Sequence, residues 1–280
     1  MDTILVRYSE IGLKGKNRTY FENKLVNNIR ECMKKNKVRF SNLHKSRGRI
    51  LLYSLPKAAT YLKNVFGIAS LSIAKEVELN HKAIEKAVEE ASRKERFKTF
   101  RISVQRLNKN FQKTSMQLEA ELGAFVVKRF RKKVKLENPD LNIHIEITDK
   151  AYIFTETVFG FRGLPISTQG KVISLIEDKE SLLSTILVMR RGCSAVLVGF
   201  KDFDIEPVKR FAYGFEVKFI KLKKFEDIED IAKRNKIKAL VVGQTTETIK
   251  NLETDLLLLR PLVGYSKLEL IQLYKQFGIK

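Results

Sequence analysis

The segment Arg7-Tyr8-Ser9-Glu10-Ile11-Gly12-Leu13-Lys14-Gly15-Lys16-Asn17-Arg18 sets five charged side chains and two glycines on a strand-to-helix connection. Glycine lets backbone amides approach an anion, and a helix start adds partial positive charge. Lys14, Lys16 and Arg18 could hold phosphate in that setting. An exposed turn with Glu10 paired to a lysine accounts for the same residues. His44-Lys45-Ser46-Arg47-Gly48-Arg49 puts Lys45, Arg47 and Arg49 in a hairpin, and a solvated loop is its plain alternative. Arg106, Lys109, Phe111, Lys113 and Ser115 form a further basic segment with an aromatic among cations, as RNA-binding surfaces often have. Phe111 is either core or a stacking platform. The run Lys128-Arg129-Arg131-Lys132-Lys133-Lys135 is either the wet face of its helix or an extension of a backbone-binding surface.

No nucleophile stands beside a base, and His44, His81 and His144 are scattered. The sequence therefore assigns no catalytic residue and no metal ligand. Cys32 and Cys193 are too far apart in sequence to form a metal-type or redox-type pair. Cys193 reads as a buried structural thiol, and Cys32 as a residue at the basic end of a helix.

The formal net charge is +22, from 54 Lys+Arg against 32 Asp+Glu. Residues 1–167 hold 34 basic and 17 acidic side chains, whereas residues 168–280 hold 20 and 15. A highly charged, thermophile-like surface explains many charges. It does not explain the uneven distribution, which suits a polyanionic partner that releases counterions as phosphates are neutralised. No apolar run approaches membrane-spanning length, and no export signal is visible. These features lead to the expectation of a reduced, cytoplasmic protein without a membrane partner.

Apolar periodicity predicts the elements that position these residues. Strands are expected at Ile4–Tyr8, Lys37–Phe40, Gly48–Tyr53 and Leu71–Leu79, with helices at Arg18–Lys35, Pro56–Val65 and His81–Ser92. That alternation suggests a ferredoxin-like α+β module over residues 1–95. A second α+β unit, 96–167, would hold strands Thr99–Arg106, Asn142–Ile147 and Ala151–Val158 and helix Ser115–Lys132. Gly160, Gly163, Pro165 and Gly170 then mark an irregular connection. In 168–280, strands Val172–Ile176, Ala195–Phe200, Phe215–Ile220 and Ala239–Val242 alternate with helices Glu180–Arg191, Pro207–Ala212, Ile228–Asn235 and Glu247–Leu252. A terminal helix, Lys267–Phe277, follows. The pattern predicts a doubly wound, mostly parallel, Rossmann-like α/β domain.

In this order the strings resemble the tRNA 4-thiouridine synthetase (tRNA sulfurtransferase) family over essentially the whole chain. Arg7–Arg18 is similar to its amino-terminal module, with Ser9 where glycine is usual. Arg106, Lys109, Phe111 and Ser115, Leu122-Gly123, Asn138-Pro139-Asp140 and Ile145-Glu146-Ile147 resemble its THUMP domain. Arg162-Gly163-Leu164-Pro165 and Thr168–Val172 resemble the start of its PP-loop ATP pyrophosphatase domain. Gly243-Gln244, Thr246–Leu252, Leu259-Arg260-Pro261-Leu262 and Ser266-Lys267 resemble later motifs of that domain.

The resemblance implies tRNA as partner, gripped by the THUMP unit at the acceptor region and 3′ end. Lys14, Lys16, Arg18, Lys45, Arg47, Arg49, Arg106, Lys109, Lys113 and Arg162 are the implied contacts. It also implies adenylation of a uridine with ATP, followed by sulfur transfer from a persulfide. The family's S-G-G-x-D-S loop is replaced here by Glu177-Asp178-Lys179-Glu180-Ser181, with both glycines gone and three carboxylates present. The family's catalytic cysteine has no counterpart up to Lys280. The expectation is a tRNA-binding protein without its own adenylation, using ATP and Mg²⁺ only if the altered loop still functions. The alternative is an active or split sulfurtransferase completed by a sulfur-donor protein or a complementary chain. A homodimer is compatible with either. A THUMP-linked methyltransferase lacks its Gly-rich turn, and a general RNA binder is a further rival.

Overall fold

The computed structural model describes residues 2–46 and 48–280. In chain order the elements are β1 (Asp2–Tyr8), α1 (Arg18–Lys35), β2 (Phe40–Ser46), β3 (Arg49–Ser54), α2 (Ala58–Leu62), β4 (Ile68–Val77) and α3 (His81–Lys94). Next come β5 (Thr99–Arg106), α4 (Ser115–Phe130), β6 (Lys133–Val134), β7 (Leu141–Ile147), β8 (Ala151–Phe154) and β9 (Val158–Phe159). The remainder is β10 (Lys171–Leu175), α5 (Lys179–Arg190), β11 (Ser194–Gly199), α6 (Glu206–Lys209), β12 (Lys218–Lys221), α7 (Asp227–Asn235), β13 (Ala239–Val241), β14 (Leu257–Leu259) and α8 (Lys267–Phe277). Met1–Arg7, Lys37–Thr60 and Ser70–Phe159 form one compact unit; Tyr8–Asn36, Tyr61–Ala69 and Gly160–Lys280 form the other.

The first unit is built on a sheet ordered β2-β3-β1-β4-β8-β7-β5-β6, with β9 pairing to β4. Alternation along β7 shows how the sequence divides its faces. Leu141, Ile143, Ile145 and Ile147 enter a core with Leu118, Leu122 and Val126 of α4 and Ile84 and Val88 of α3. Glu146, on the opposite face, is only 4% exposed. It accepts hydrogen bonds from Arg7 Nε at 2.6 Å and Arg49 Nε at 2.8 Å. A buried carboxylate is tolerated because it is paired. Both helices start at sequence-encoded caps. Asn80 Oδ1 accepts from Ala83 N at 2.8 Å, and Thr114 with Gln117 forms a reciprocal capping box.

In the second unit a parallel sheet runs β12-β11-β10-β13-β14. The expected α/β class holds. Its core stacks Phe66 on Phe211 at 5.2 Å and Phe161 on Phe277 at 5.1 Å between ring centroids. Such pairs add about 0.5–1.5 kcal/mol beyond area burial. α1 belongs to this unit: Lys35 Nζ donates to Ala212 O at 2.9 Å, and Gly214 N donates to Glu31 Oε2 at 2.7 Å. Gly214 has φ +100°, and a Cβ there would lie 2.2 Å from Asn28 Oδ1, so no other residue fits without a shift.

Helices α1 and α8 and strand β5 occupy the predicted spans, and several other elements shift. The strand expected at Lys37–Phe40 lies at Phe40–Ser46, pairing Leu43 with Leu52 and Ser46 with Arg49. Its polar string resembles a turn, but β3 supplies the pairing that local propensity does not. The strand expected at Ala151–Val158 is broken into β8 and β9. Strand Phe215–Ile220 shortens to β12 and helix Pro207–Ala212 to α6. The helix expected at Glu247–Leu252 is a turn instead. Thr248 Oγ1 accepts from Thr245 N at 2.9 Å, a local bond that competes with helix formation. The edge strand β14, unexpected from sequence, pairs with β13 through Leu257–Leu259.

Candidate functional site

From β10 the chain moves outward to β11 and β12, then returns to place β13 and β14 on the other side of β10. The gap between β10 and β13 is therefore a topological switch point, where open α/β sheets leave a crevice at the carboxyl ends of their strands. A cleft of about 840 Å³ lies there. Glu177, Asp178 and Glu180 line it from the β10–α5 connection, and Gly243 to Thr248 with Lys250 line it after β13. Residues of α8, including Lys267 and Tyr274, complete the wall. A Cβ on Gly243 would sit 2.5 Å from Ser181 N, so the two loops meet at a distance that only glycine allows.

The start of α5 is capped by its own residues. Asp178 Oδ1 accepts from Ser181 N at 2.7 Å, and Ser181 Oγ accepts from the amides of Glu177 and Asp178 at 3.0 and 3.1 Å. A carboxylate thus holds the place an anionic ligand takes at a helix start. Glu180 accepts from the Tyr274 hydroxyl at 2.8 Å, and Lys179 Nζ lies 5.0 Å from the Tyr274 ring centre. Desolvation first, then Glu180, pushes the Tyr274 hydroxyl pKa up. Among the lining residues four carboxylates, Glu177, Asp178, Glu180 and Glu247, face Lys250 and Lys267. Lys267 Nζ is itself 3.1 Å from Glu247. Desolvation and Asp178 raise the Glu177 carboxyl, and Lys250 offsets part of that.

Basic residues expected to meet nucleic acid have divergent environments. In the second unit, Lys14 joins two short 3₁₀ turns and places Nζ 4.9 Å from the Phe21 ring centre, while Lys16 is exposed. Arg18 is engaged, donating to Glu22 at 2.8 Å and to the Tyr8 hydroxyl at 2.7 Å. Arg162 is exposed at φ +59°, on a backbone bonded to Gly67 and Ile68. In the first unit, Lys45 is exposed on β2, and Arg47 lies outside the described residues. Arg49 is a strut: besides Glu146 it donates to Gln105 Oε1 at 3.0 Å. Arg106 donates to the carbonyls of Phe111 and Lys113 at 3.0 and 3.2 Å, shaping the loop that exposes Lys109. Lys113 pairs with Glu121. Phe111 packs against the core of the unit.

Sequence reasoning missed the buried partners Arg7 and Glu146. The only available signal was a glutamate within an alternating apolar strand. Neither thiol is activated. Burial pushes Cys32 up to about 12, and desolvation raises Cys193.

Residues 3–72 match the model of the ThiI ferredoxin-like domain and residues 78–156 that of the THUMP domain. A probable tRNA sulfurtransferase of Thermoanaerobacter pseudethanolicus is 29% identical, covering 99% of this chain and 86% of the relative. One from Thermococcus kodakarensis is also 29% identical, covering 99% and 88%. A crystal structure from Pyrococcus horikoshii superposes with TM-score 0.90 at 28% identity, covering both chains fully. A 4-thiouridine synthetase solved with RNA and bound ATP gives TM-score 0.81 at 26% identity, covering 99% of this chain and 85% of that one. Two domain models in series, relatives spanning almost the whole chain and solved structures of the same fold place this protein in the tRNA 4-thiouridine synthetase (tRNA sulfurtransferase) family.

Proposed function

We propose that the chain binds tRNA for thiolation and does not itself adenylate it. The carrying observation is Asp178 Oδ1 on Ser181 N at 2.7 Å, where the family's phosphate loop would offer free amides. A triphosphate would have to displace that cap and enter among four carboxylates. Like charges a few Å apart cost on the order of 1 kcal/mol in water and more in a partly desolvated cleft. The residues present therefore do not fit ATP, and no chemical step is routed through it. The proposal keeps the division 1–95, 96–167 and 168–280, with the last domain as scaffold or partner surface. Lys14, Lys16, Lys45, Lys109 and Arg162 are the proposed phosphate contacts. Arg18, Arg49 and Arg106 hold the surfaces that carry them, and Lys113 exchanges Glu121 for phosphate.

The test is titration of the full chain with ATP·Mg²⁺ and, separately, with tRNA. We expect tRNA binding and none of ATP at millimolar concentration. Micromolar ATP binding overturns the inactive assignment. One observation favours the alternative of an active or split sulfurtransferase: a similar fold is known with ATP bound, and this chain keeps a large cleft at its switch point. Mg²⁺ bridging the carboxylates would be its route. Formation of 4-thiouridine on addition of a persulfide donor or a complementary chain would establish it.

A further inference from the structure

The run Lys128–Lys135 acquires cationic neighbours through the fold. β5 and β6 pair in parallel with Thr99 opposite Lys133, and Lys133 N donates to Lys98 O at 3.2 Å. Glu89 ties α3 to α4, accepting from Arg93 at 2.6 Å and from Arg129 at 3.0 Å. Residues 93–98 and 128–135 thus share one end of the first unit, with ten cations and a single carboxylate, Glu95, between them. Glu89 answers Arg93 and Arg129. Among the described residues, no carboxylate stands within ion-pair distance of Arg96, Lys98, Arg131, Lys133 or Lys135. Asp140 lines this end too; it directs its carboxylate to the amides of Lys98 and Thr99, each at 2.9 Å, and has Lys135 in its electrostatic surroundings.

A groove of about 790 Å³ opens there, with Phe97 and Phe130 among its walls. Their ring centres are 6.5 Å apart, and Lys132 Nζ lies 5.6 Å from that of Phe97. So many like charges repel one another unless a polyanion neutralises them. The groove is at the start of β5, whereas Lys109 follows its end. Seven strand steps separate the two ends, roughly 23 Å at about 3.3 Å per residue.

We propose that this groove is a second RNA-backbone site, holding phosphates of a folded tRNA that also reaches the loop carrying Lys109. This rests on the tRNA-binding reading, and it extends the footprint beyond the family-like motif at Arg106–Ser115. Charge complementarity selects a polyanion, and the phosphate backbone of a folded RNA is the one that fits a row of exposed cations.

The test compares tRNA affinity of the full chain between 50 and 200 mM salt with that of Arg96→Ala/Lys98→Ala/Lys133→Ala/Lys135→Ala. A second variant, Lys218→Ala/Lys233→Ala/Lys238→Ala/Lys275→Ala, removes equal charge elsewhere. The groove variant should bind at least about tenfold more weakly at low salt and lose two to four units of salt slope, about 0.9 per phosphate contact. The control should change by less than about threefold. An unchanged slope in the groove variant, with wild-type binding intact, overturns the second site and leaves tRNA binding standing. Equal losses in both variants also overturn it, because net charge alone would then suffice. Failure of the wild type to bind tRNA removes the reading on which it rests. Circular dichroism confirms folding of both variants, whose substituted side chains are exposed.

Discussion

Asp140 and Glu177 are both carboxylates beside the start of a structured element, yet their surroundings drive them in opposite directions. Asp140, in the cationic groove, receives amide hydrogen bonds from Thr99 and Lys98 that hold its pKa below the usual value. Glu177, in the acidic cleft, is raised by desolvation and by Asp178. The groove leaves Arg96 and Lys98 without an ion-pair partner among the described residues, whereas the cleft caps its own helix start with a carboxylate. A site that satisfies itself presents little to a ligand, and one that does not presents a great deal.

The strongest way to sharpen this contrast is to unbalance an internal pair. Glu146→Ala leaves the Arg7 and Arg49 guanidiniums buried without their anion and should destabilise the first unit by about 3–5 kcal/mol. Urea denaturation with a probe in that unit measures it. A loss near zero would make Arg49 available to RNA after all. Asp178→Ala removes the α5 cap and should cost about 1 kcal/mol in thermal or urea unfolding. Asp178→Ser keeps a cap without the charge. It should therefore cost less, and it should raise affinity for inorganic pyrophosphate if the carboxylate is what excludes anions. Pyrophosphate binding equal to wild type would place the block elsewhere in the cleft.

The smallest effects concern pH. Asp140, being depressed, contributes stability above the ordinary aspartate range, and this is lost as pH falls through its folded pKa. Asp140→Asn should abolish that acid-side dependence. Glu177, being raised, favours its protonated form in the folded state, so its contribution declines as pH rises from the usual glutamate value towards its folded one. Glu177→Gln should flatten the curve on that side. Denaturation midpoints from pH 3 to pH 7, on the order of the ordinary carboxylate range and above, would separate the two signs.

Long periodic elements were legible from the residues. Arg18–Lys35 places Phe21, Leu25, Ile29 and Met33 on one buried stripe, and Lys267–Phe277 is bounded by a Ser266 capping box and by Gly278 at φ +67°. The short apolar strands β10, β11 and β13 were legible too, but short polar elements were not. Phe40–Ser46 is a strand because β3 pairs with it, and Thr245–Thr248 is a turn because a hydroxyl captures an amide. The carboxylates of Glu177, Asp178 and Glu180 at the connection between β10 and α5 were visible in the sequence. That Asp178 would accept from the Ser181 amide was not visible.

The amino-acid order by itself determined the α/β alternation, the uneven charge and the family resemblance, because each depends on residue type and spacing along the chain. Only the tertiary structure decided which cations remain available. Arg49 meets Glu146, an acceptor supplied by a strand remote in sequence, while Lys98 and Lys133 are brought side by side without one. Whether a side chain has a partner is a matter of distance in space, which one-dimensional spacing does not specify.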